Sequence, residues 1–177
     1  MKVAFEHEVG YGKKATQGCP CGFFNDHLKP CQCSPHAIHR YLQRISGPLL
    51  DRIDIHVEVP RLKHDEMVAH NTSESSAVVR TRVTTARQQQ VKRFEGTGIY
   101  CNAHMSSRQI KQFCAVSDEV RELLRSAITQ LNLSARAYDR ILKLSRTIAD
   151  LAGEEDIQIA HVAEAIQYRS LDRKFWG

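Results

Sequence analysis

The stretch "SARAYDRILKLSRTIADLAG", residues 134–153, decides the fold class of this chain. Its apolar residues recur every three or four positions, at Ala137, Tyr138, Ile141, Leu142, Leu144, Ile148, Ala149 and Leu151. So wide an apolar arc predicts a helix that packs against neighbours on more than one side. Ser134 is a typical N-cap and Gly153 a typical C-terminal stop, so both ends of the helix are marked.

Helical patterns extend from this stretch over residues 76–177. The first predicted helix places Val79, Val83, Ala86 and Phe94 on one face, and five cations flank that face: Arg80, Arg82, Arg87, Lys92 and Arg93. Ser106 with Gln109 predicts a capping box, and Ser117 predicts another N-cap. The last helix, near residues 160–173, should bury Val162, Ala163 and Ile166. We therefore expect a mainly α protein with four or five helices in this region.

The N-terminal third is predicted to be less regular. Residues 1–33 show neither helical nor strand periodicity and are interpreted as loop. Ser34 and Pro35 begin a short helix. Residues 53–59 alternate apolar and polar side chains, which predicts one strand, and residues 61–75 are typical of a linker. The predicted domains are therefore 1–60, a linker at 61–75, and 76–177.

The composition limits the classes of protein to which this chain can belong. Of 177 residues 42% are hydrophobic, which is enough for a real core, and the formal net charge of +5 suits an anionic partner such as nucleic acid or nucleotide phosphate. The sequence contains no apolar run of membrane-spanning length and no signal-peptide pattern. We therefore expect a cytoplasmic protein without a membrane partner, in which the six cysteines stay reduced.

Four of the cysteines form two C-x-C pairs, at Cys19, Cys21, Cys31 and Cys33. Paired thiolates on two short segments are what a tetrahedral structural zinc site requires. The alternative is four reduced cysteines in a compact glycine-rich turn. His27 or His36 lies close enough in sequence to replace one ligand, although a lone histidine is more often a surface residue.

Two arginines are candidates for contact with phosphate. Arg52, in "LLDRID" at the start of the predicted strand, either pairs with Asp51 or Asp54 or is supplied in trans to the terminal phosphate of a nucleotide. Arg136 follows the N-cap Ser134, where the positive end of the helix attracts anions; the alternative is an ordinary solvated face.

The sequence lacks a phosphate-binding loop. "GYGKKAT", residues 10–16, does not fit G-x-x-x-x-G-K-[ST], and no strand ends in paired acids that would hold Mg²⁺. Without these groups, the 177 residues are not expected to hydrolyse ATP alone.

Three segments together resemble a known family: "CPCG" to "YLQRISGPLLDRIDIHVEVP", then "NAHMSSRQIK", then "LSARAYDRILKLSRTIADLAGEEDIQIAHVAEAIQYRSLDR". They look like the C-terminal half of the magnesium-chelatase-like AAA+ ATPases of the YifB/ComM type. The resemblance covers about residue 15 to Arg173. It implies a vestige of the α/β AAA+ core with the cysteine loop and one strand, followed by a helical lid domain.

The resemblance also implies a function. The family forms homo-hexameric ATPase rings, and its ComM branch drives branch migration in DNA recombination and competence. "LLDRID" matches the arginine-finger segment, which points to Arg52 as catalytic, and "LSARAYDR" matches sensor 2, which points to Arg136. Gln17 stands where the family has the sensor-1 asparagine. ATP and Mg²⁺ would be shared with a P-loop-containing N-terminal half or a neighbouring subunit.

Two other hypotheses remain open at this point. The first is a non-enzymatic nucleic-acid-binding module in which the cysteine loop holds zinc and the basic helix around Arg80–Arg93 contacts phosphates. The second is a helical bundle that folds but has no activity alone.

Overall fold

The computed structural model describes residues 2–6, 14–26, 28–44, 53–59, 74–131 and 133–176. Their structure is mainly helical, which confirms the predicted fold class. The chain divides into two compact units, one of residues 1–72 with 168–177 and one of residues 73–167. In the described ranges, no helix combines the length and the apolar character that crossing a bilayer requires.

The first unit contains an antiparallel three-stranded sheet. Strand β1 (Lys2–Glu6) lies in the centre, with β2 (Lys14–Gln17) on one side and β3 (Ile55–Val59) on the other. In the register, Lys2 is opposite both Gln17 and Val59. The prediction of a loop over residues 1–33 is therefore wrong for Lys2–Glu6 and Lys14–Gln17, and the prediction of a single strand is wrong as well. Strand β1 is stabilised by pairing with a strand far along the chain, which local periodicity cannot reveal.

Helix α1 (Pro35–Leu42) belongs to the same unit and begins as predicted. The Ser34 hydroxyl accepts a hydrogen bond from the Ala37 N–H at 3.3 Å, and proline occupies the first helical position. The cap satisfies a backbone donor that the helix itself leaves without a partner.

The second unit is a helical bundle. Its helices are α2 (Ser76–Arg93), α3 (Ser107–Phe113), α4 (Asp118–Gln130), α5 (Ala135–Ala152) and the first part of α6 (Ile159–Trp176), with a 3-10 helix at Asn102–His104. The predicted caps are confirmed: Ser106 and Gln109 form a reciprocal capping box, Ser117 and Ser134 cap α4 and α5, and Gly153 ends α5 at a φ of 78°.

Helix α5 lies at the centre of this bundle, and its residues Ile141, Leu142 and Ala149 are buried. The other buried members of the core are Phe94, Met105, Ile110, Cys114, Val120, Leu124, Ile157, Val162 and Ala165. The Phe94 and Phe113 rings pack edge to face, with centroids 5.3 Å apart. Burial of these side chains is the main favourable term for the unit.

Two residues placed on apolar faces by their periodicity are exposed. Val83 is 44% exposed and Leu151 is 37% exposed. In α2 the buried residues are Ala86 and Gln90, followed by Phe94, so only the C-terminal half of this helix packs on the core. In the last turns of α5 the charged residues Arg146 and Asp150 are buried together with Ala149.

Those charged residues form a buried network around Asp150. Its carboxylate accepts hydrogen bonds from Arg93 at 2.5 and 2.8 Å, from Arg146 Nε at 3.0 Å and from Asn102 Nδ2 at 2.8 Å. The Arg146 guanidinium also donates to the carbonyls of Glu154 and Glu155, at 2.7 and 2.6 Å. The network joins α2, the 3-10 helix and the end of α5, and it satisfies the carboxylate on every side.

Candidate functional site

The structure brings the four predicted cysteine ligands together. The sulfur atoms of Cys19, Cys21, Cys31 and Cys33 all lie within 4.8 Å of one another. Cys19 Sγ is 3.4 Å from that of Cys21 and 3.6 Å from that of Cys31, and Cys21 and Cys31 are also 3.6 Å apart. The two C-x-C pairs therefore converge on one point, although nine residues separate them in sequence.

Tight turns set this arrangement. The Gly22 N–H donates to the Cys19 carbonyl at 3.1 Å, and Gly22 adopts a φ of 81°, which glycine reaches without steric cost. Gly18 is buried beneath Phe24: a Cβ there would lie 2.7 Å from Phe24 Cδ1. The loop thus depends on a residue without a side chain directly before the first ligand.

The second half of the loop is closed by polar contacts. The Asp26 carboxylate accepts hydrogen bonds from the N–H groups of Leu28 and Lys29, at 2.7 and 3.1 Å. The Lys29 ammonium lies 4.3 Å from the centre of the Phe23 ring. These contacts return the chain to the second pair of cysteines.

The thiols perturb one another. A hydrogen bond from the Phe23 backbone is the largest influence on Cys21 and lowers the pKa of that thiol to about 6. The Cys33 backbone hydrogen bond acts in the same sense on Cys31, but partial burial and the neighbouring thiols outweigh it and raise the pKa of Cys31 to about 12. The pKa of Cys33 is also raised. Ionisation is therefore favoured at Cys21 and disfavoured at Cys31 and Cys33, where a bound cation would compensate the additional negative charge.

The geometry fits a bound metal ion. Zn–S bonds of about 2.3 Å would place the sulfurs of a tetrahedral site about 3.8 Å apart, close to the observed separations. A disulfide would instead require about 2.05 Å. The described part of the chain contains no other cluster of three or more metal-binding side chains. His36 is exposed and lies outside the cluster, and His27 lies outside the described residues.

The remaining cysteines take no part in this site. Cys114 is buried in the helical core, and burial raises the pKa of its thiol to about 12. Such a thiol is almost entirely protonated at neutral pH and is a poor nucleophile. Cys101 is half-buried at the N-cap of the 3-10 helix.

The predicted phosphate-binding residues lie in different parts of the chain. Arg136 is exposed in the first turn of α5, and the Ser134 hydroxyl accepts from the Ala137 N–H at 3.1 Å in the same turn. Gln17 is the last residue of β2, in the other unit. Arg52 lies outside the described residues. The residue that follows it, Ile53, is buried, and its carbonyl accepts a hydrogen bond at 2.7 Å from the buried Arg169 of the same unit.

A further surface feature was not predicted. A groove of about 760 Å³ runs along the C-terminal half of α2 and the turn that follows it. Its lining includes the exposed side chains of Val91, Lys92 and Tyr100. Tyr100 is 68% exposed. An aromatic residue shortly after a basic helix is the sequence signal that could have found this groove.

Comparison with known proteins identifies similar sequences for most of the chain. The model of the family "Magnesium chelatase, subunit ChlI C-terminal" matches residues 73–169, and that of "Magnesium chelatase, subunit ChlI" matches residues 13–67. Competence protein ComM of Haemophilus influenzae is 45% identical over 143 residues, which are 79% of this chain and 27% of that protein.

Two further relatives match a comparable share of this chain. The Escherichia coli protein YifB is 40% identical over 80% of this chain and 28% of its own length. The Mycobacterium bovis protein Mb2921c is 35% identical over 88% of this chain and 30% of its own length. The chain thus spans less than a third of the length of these relatives.

Proposed function

Because the chain belongs to the magnesium chelatase family, whose subunit ChlI C-terminal model matches residues 73–169, we propose that it forms part of an ATP site in a ring ATPase that acts on DNA. ATP and Mg²⁺ would be held between this chain and a polypeptide that carries a P-loop. The observation that carries the proposal is the ordered match of both family models, with Arg136 presented to solvent at the start of α5.

Arg136 is proposed as the sensor-2 residue, which binds a phosphate of the nucleotide. The positive end of the α5 dipole and an arginine in the first turn favour an anion at the same place. A guanidinium there can donate two parallel hydrogen bonds to phosphate oxygens. Its exposure is required for this role, because the nucleotide would be bound mainly by another polypeptide.

Arg52 is proposed as the arginine finger, supplied in trans to the terminal phosphate. A finger must be held firmly, since its effect depends on placing charge where the transition state develops it. The hydrogen bond from Arg169 to the Ile53 carbonyl anchors the backbone directly after position 52 and supports this assignment. Gln17, at the end of β2, is proposed to take the sensor-1 position with its side-chain amide.

The relatives support a proposal for the partner and the substrate. A competence protein among them supports DNA as the substrate, and we propose branch migration by a homo-hexameric ring as the activity of the complete assembly. The net charge of +5 suits such a partner.

Reconstitution tests the proposal. The purified chain is mixed with the N-terminal, P-loop-containing half of a close relative, and ATP turnover is measured. We expect no turnover by the chain alone, turnover on mixing, and weaker nucleotide binding after Arg136→Ala. Arg121→Ala serves as the control, because this exposed arginine on α4 pairs only locally with Asp118. A mixture that binds and hydrolyses ATP equally well with Arg136→Ala would refute the sensor-2 role.

We propose in addition that the four cysteines hold a structural zinc ion. This role is compatible with the proposed ring ATPase, and it is also compatible with the alternative of a non-enzymatic nucleic-acid-binding module. The sulfur separations of 3.4–3.6 Å support it. Four thiolates without an open position make a closed, structural site rather than a catalytic one.

Metal analysis of the purified chain tests this second proposal. About one zinc ion per chain is expected, and none after Cys31→Ser. The matched control is Cys101→Ser, which removes a half-buried thiol outside the cluster and should leave the zinc content unchanged. A wild-type chain that takes up no zinc at neutral pH under reducing conditions would refute the assignment.

A further inference from the structure

We propose that the groove beside α2 binds single-stranded nucleic acid, with Tyr100 stacking on a base and Arg87 and Lys92 contacting phosphates. This inference deepens the DNA part of the proposed function and rests on it. The groove would be the surface of the helical unit that contacts the nucleic-acid strand.

The shape of the groove suits a flexible chain with flat bases. Its volume is about 760 Å³, and all of its lining belongs to the helical unit. Gly96 and Gly98 have φ values of 74° and 77°, and a Cβ at either position would meet nothing within 4 Å. The turn therefore leaves open space at these two lining positions, and Tyr100 belongs to the same lining.

Tyr100 is unusual among the large apolar side chains. It is 68% exposed, more than any other such residue in the described part of the chain, and the exposed Val91 lies in the same groove. An exposed ring in a groove that also carries cations is the arrangement by which proteins stack bases without reading their sequence. Its exposure also means that the helical core does not require it.

The charges around the groove favour an anion. Helix α2 carries five cations and no acidic residue. Arg82 forms an ion pair with Glu74, and Arg93 forms an ion pair with Asp150. Arg87 donates to the neutral Gln90 side chain, and within the described residues neither Arg87 nor Lys92 forms an ion pair. Glu95 is the one acid in the lining, so the groove is net positive.

A protein partner fits these features less well. The core of a protein–protein interface is depleted of lysine and of charge in general, whereas cations here alternate with the apolar surface. Phosphate contacts need exposed lysine and arginine, and base stacking needs an accessible ring. Both are present within one groove.

Oligonucleotide binding by the whole 177-residue chain tests the inference. The probe is fluorescein-labelled oligothymidylate of about 20 nucleotides, followed by anisotropy over a series of salt concentrations. Tyr100→Ala should weaken binding about tenfold, and Tyr100→Phe should bind as the wild type does because the ring remains. Arg87→Ala and Lys92→Ala should each reduce the salt slope by about one.

Arg121→Ala is the matched control, since it removes the same charge from an exposed position on α4. Each variant is checked by its thermal transition, which should not move for Tyr100→Ala. The inference is overturned if Tyr100→Ala binds as the wild type does, or if Arg121→Ala loses as much affinity as Lys92→Ala.

The remaining outcomes are also decisive. A change of oligomeric state on Tyr100→Ala without a change in oligonucleotide binding would make the groove a protein interface and overturn the inference. If the wild-type chain binds no oligonucleotide at all, this inference and the DNA part of the proposed function both fail. The ATP-site assignment is judged separately by turnover.

Discussion

The cysteine loop and the helical unit are stabilised in different ways. Between residues 18 and 33, the buried residues among those described are Gly18 and Cys19, so this loop has almost no apolar core. The helical unit has an apolar cluster around α5 and the ion network of Asp150. A segment without apolar burial needs another source of free energy to offset its loss of conformational entropy. In the loop, four converging sulfur atoms can supply it through a metal ion.

The comparison also bears on function. Arg52 belongs to the residues of the first unit and Arg136 to the helical unit, so the two proposed roles fall on different units of the chain. A substitution that destabilises one unit should therefore impair the role of the arginine in that unit more than the role of the other arginine.

The largest expected effect is that of metal removal from the zinc-loaded protein. Zinc binding contributes about 10–16 kcal/mol to the folding of small zinc domains, far more than the apolar contacts of this loop can replace. After chelation, backbone amides of residues 19–33 should exchange hydrogen as fast as those of an unfolded peptide. Amides in the middle of α5 should keep their protection, because the core around Ile141 and Leu142 contains no metal ligand.

Hydrogen–deuterium exchange followed by mass spectrometry measures both regions in one sample. The control is Cys31→Ser without chelator, which should reproduce the effect on the loop. Equal loss of protection in the loop and in α5 would show that the two regions are not stabilised separately.

Asp150→Asn is expected to have a smaller effect on stability than metal removal. The substitution preserves shape but leaves the guanidinium groups of Arg93 and Arg146 without their shared countercharge in a buried place. It should lower the free energy of unfolding by about 3–5 kcal/mol, measured by denaturant titration. Asp118→Asn, which removes an exposed partner of Arg121, should be almost neutral. Similar behaviour of the two variants would mean that the buried network does not stabilise the helical unit.

Gly18→Ala should have a smaller energetic effect than metal removal or Asp150→Asn. The new Cβ would lie 2.7 Å from Phe24 Cδ1 and 3.2 Å from Phe24 Cβ, so the ring must move. Overpacking of this kind costs about 1–3 kcal/mol, which corresponds to zinc affinity at least several-fold weaker. Competition with a chromophoric chelator measures it, and Pro20→Ala, at an exposed position in the same turn, is the control. Unchanged affinity in Gly18→Ala would mean that the Gly18–Phe24 contact does not determine the loop geometry.

Local sequence signals predicted much of this structure. The N-caps at Ser34, Ser106, Ser117 and Ser134 and the stop at Gly153 are each set by a few neighbouring residues, so they could be predicted without knowledge of the fold. The convergence of the cysteines was predicted for a similar reason, since two close pairs on a short loop have few ways to lie apart.

Long-range features could not be predicted in this way. Strand β1 depends on pairing with the distant strand β3, and the sequences of β1 and β2 carry no clear alternation. Burial of Gln90, Asn102 and Asp150 contradicts the usual preference of polar side chains and depends on partners up to 57 positions away. Arg146 and Asp150, an oppositely charged pair four positions apart on α5, were the available signal for that network.

The measurement that tests the proposed function most directly is ATP turnover by the reconstituted assembly with Arg52→Ala. An arginine finger contributes at least about a thousandfold to kcat, so turnover should fall by that factor while nucleotide affinity stays unchanged. Arg121→Ala should retain the full rate. Full turnover with Arg52→Ala would contradict the assignment of this chain to a shared ATP site through that residue.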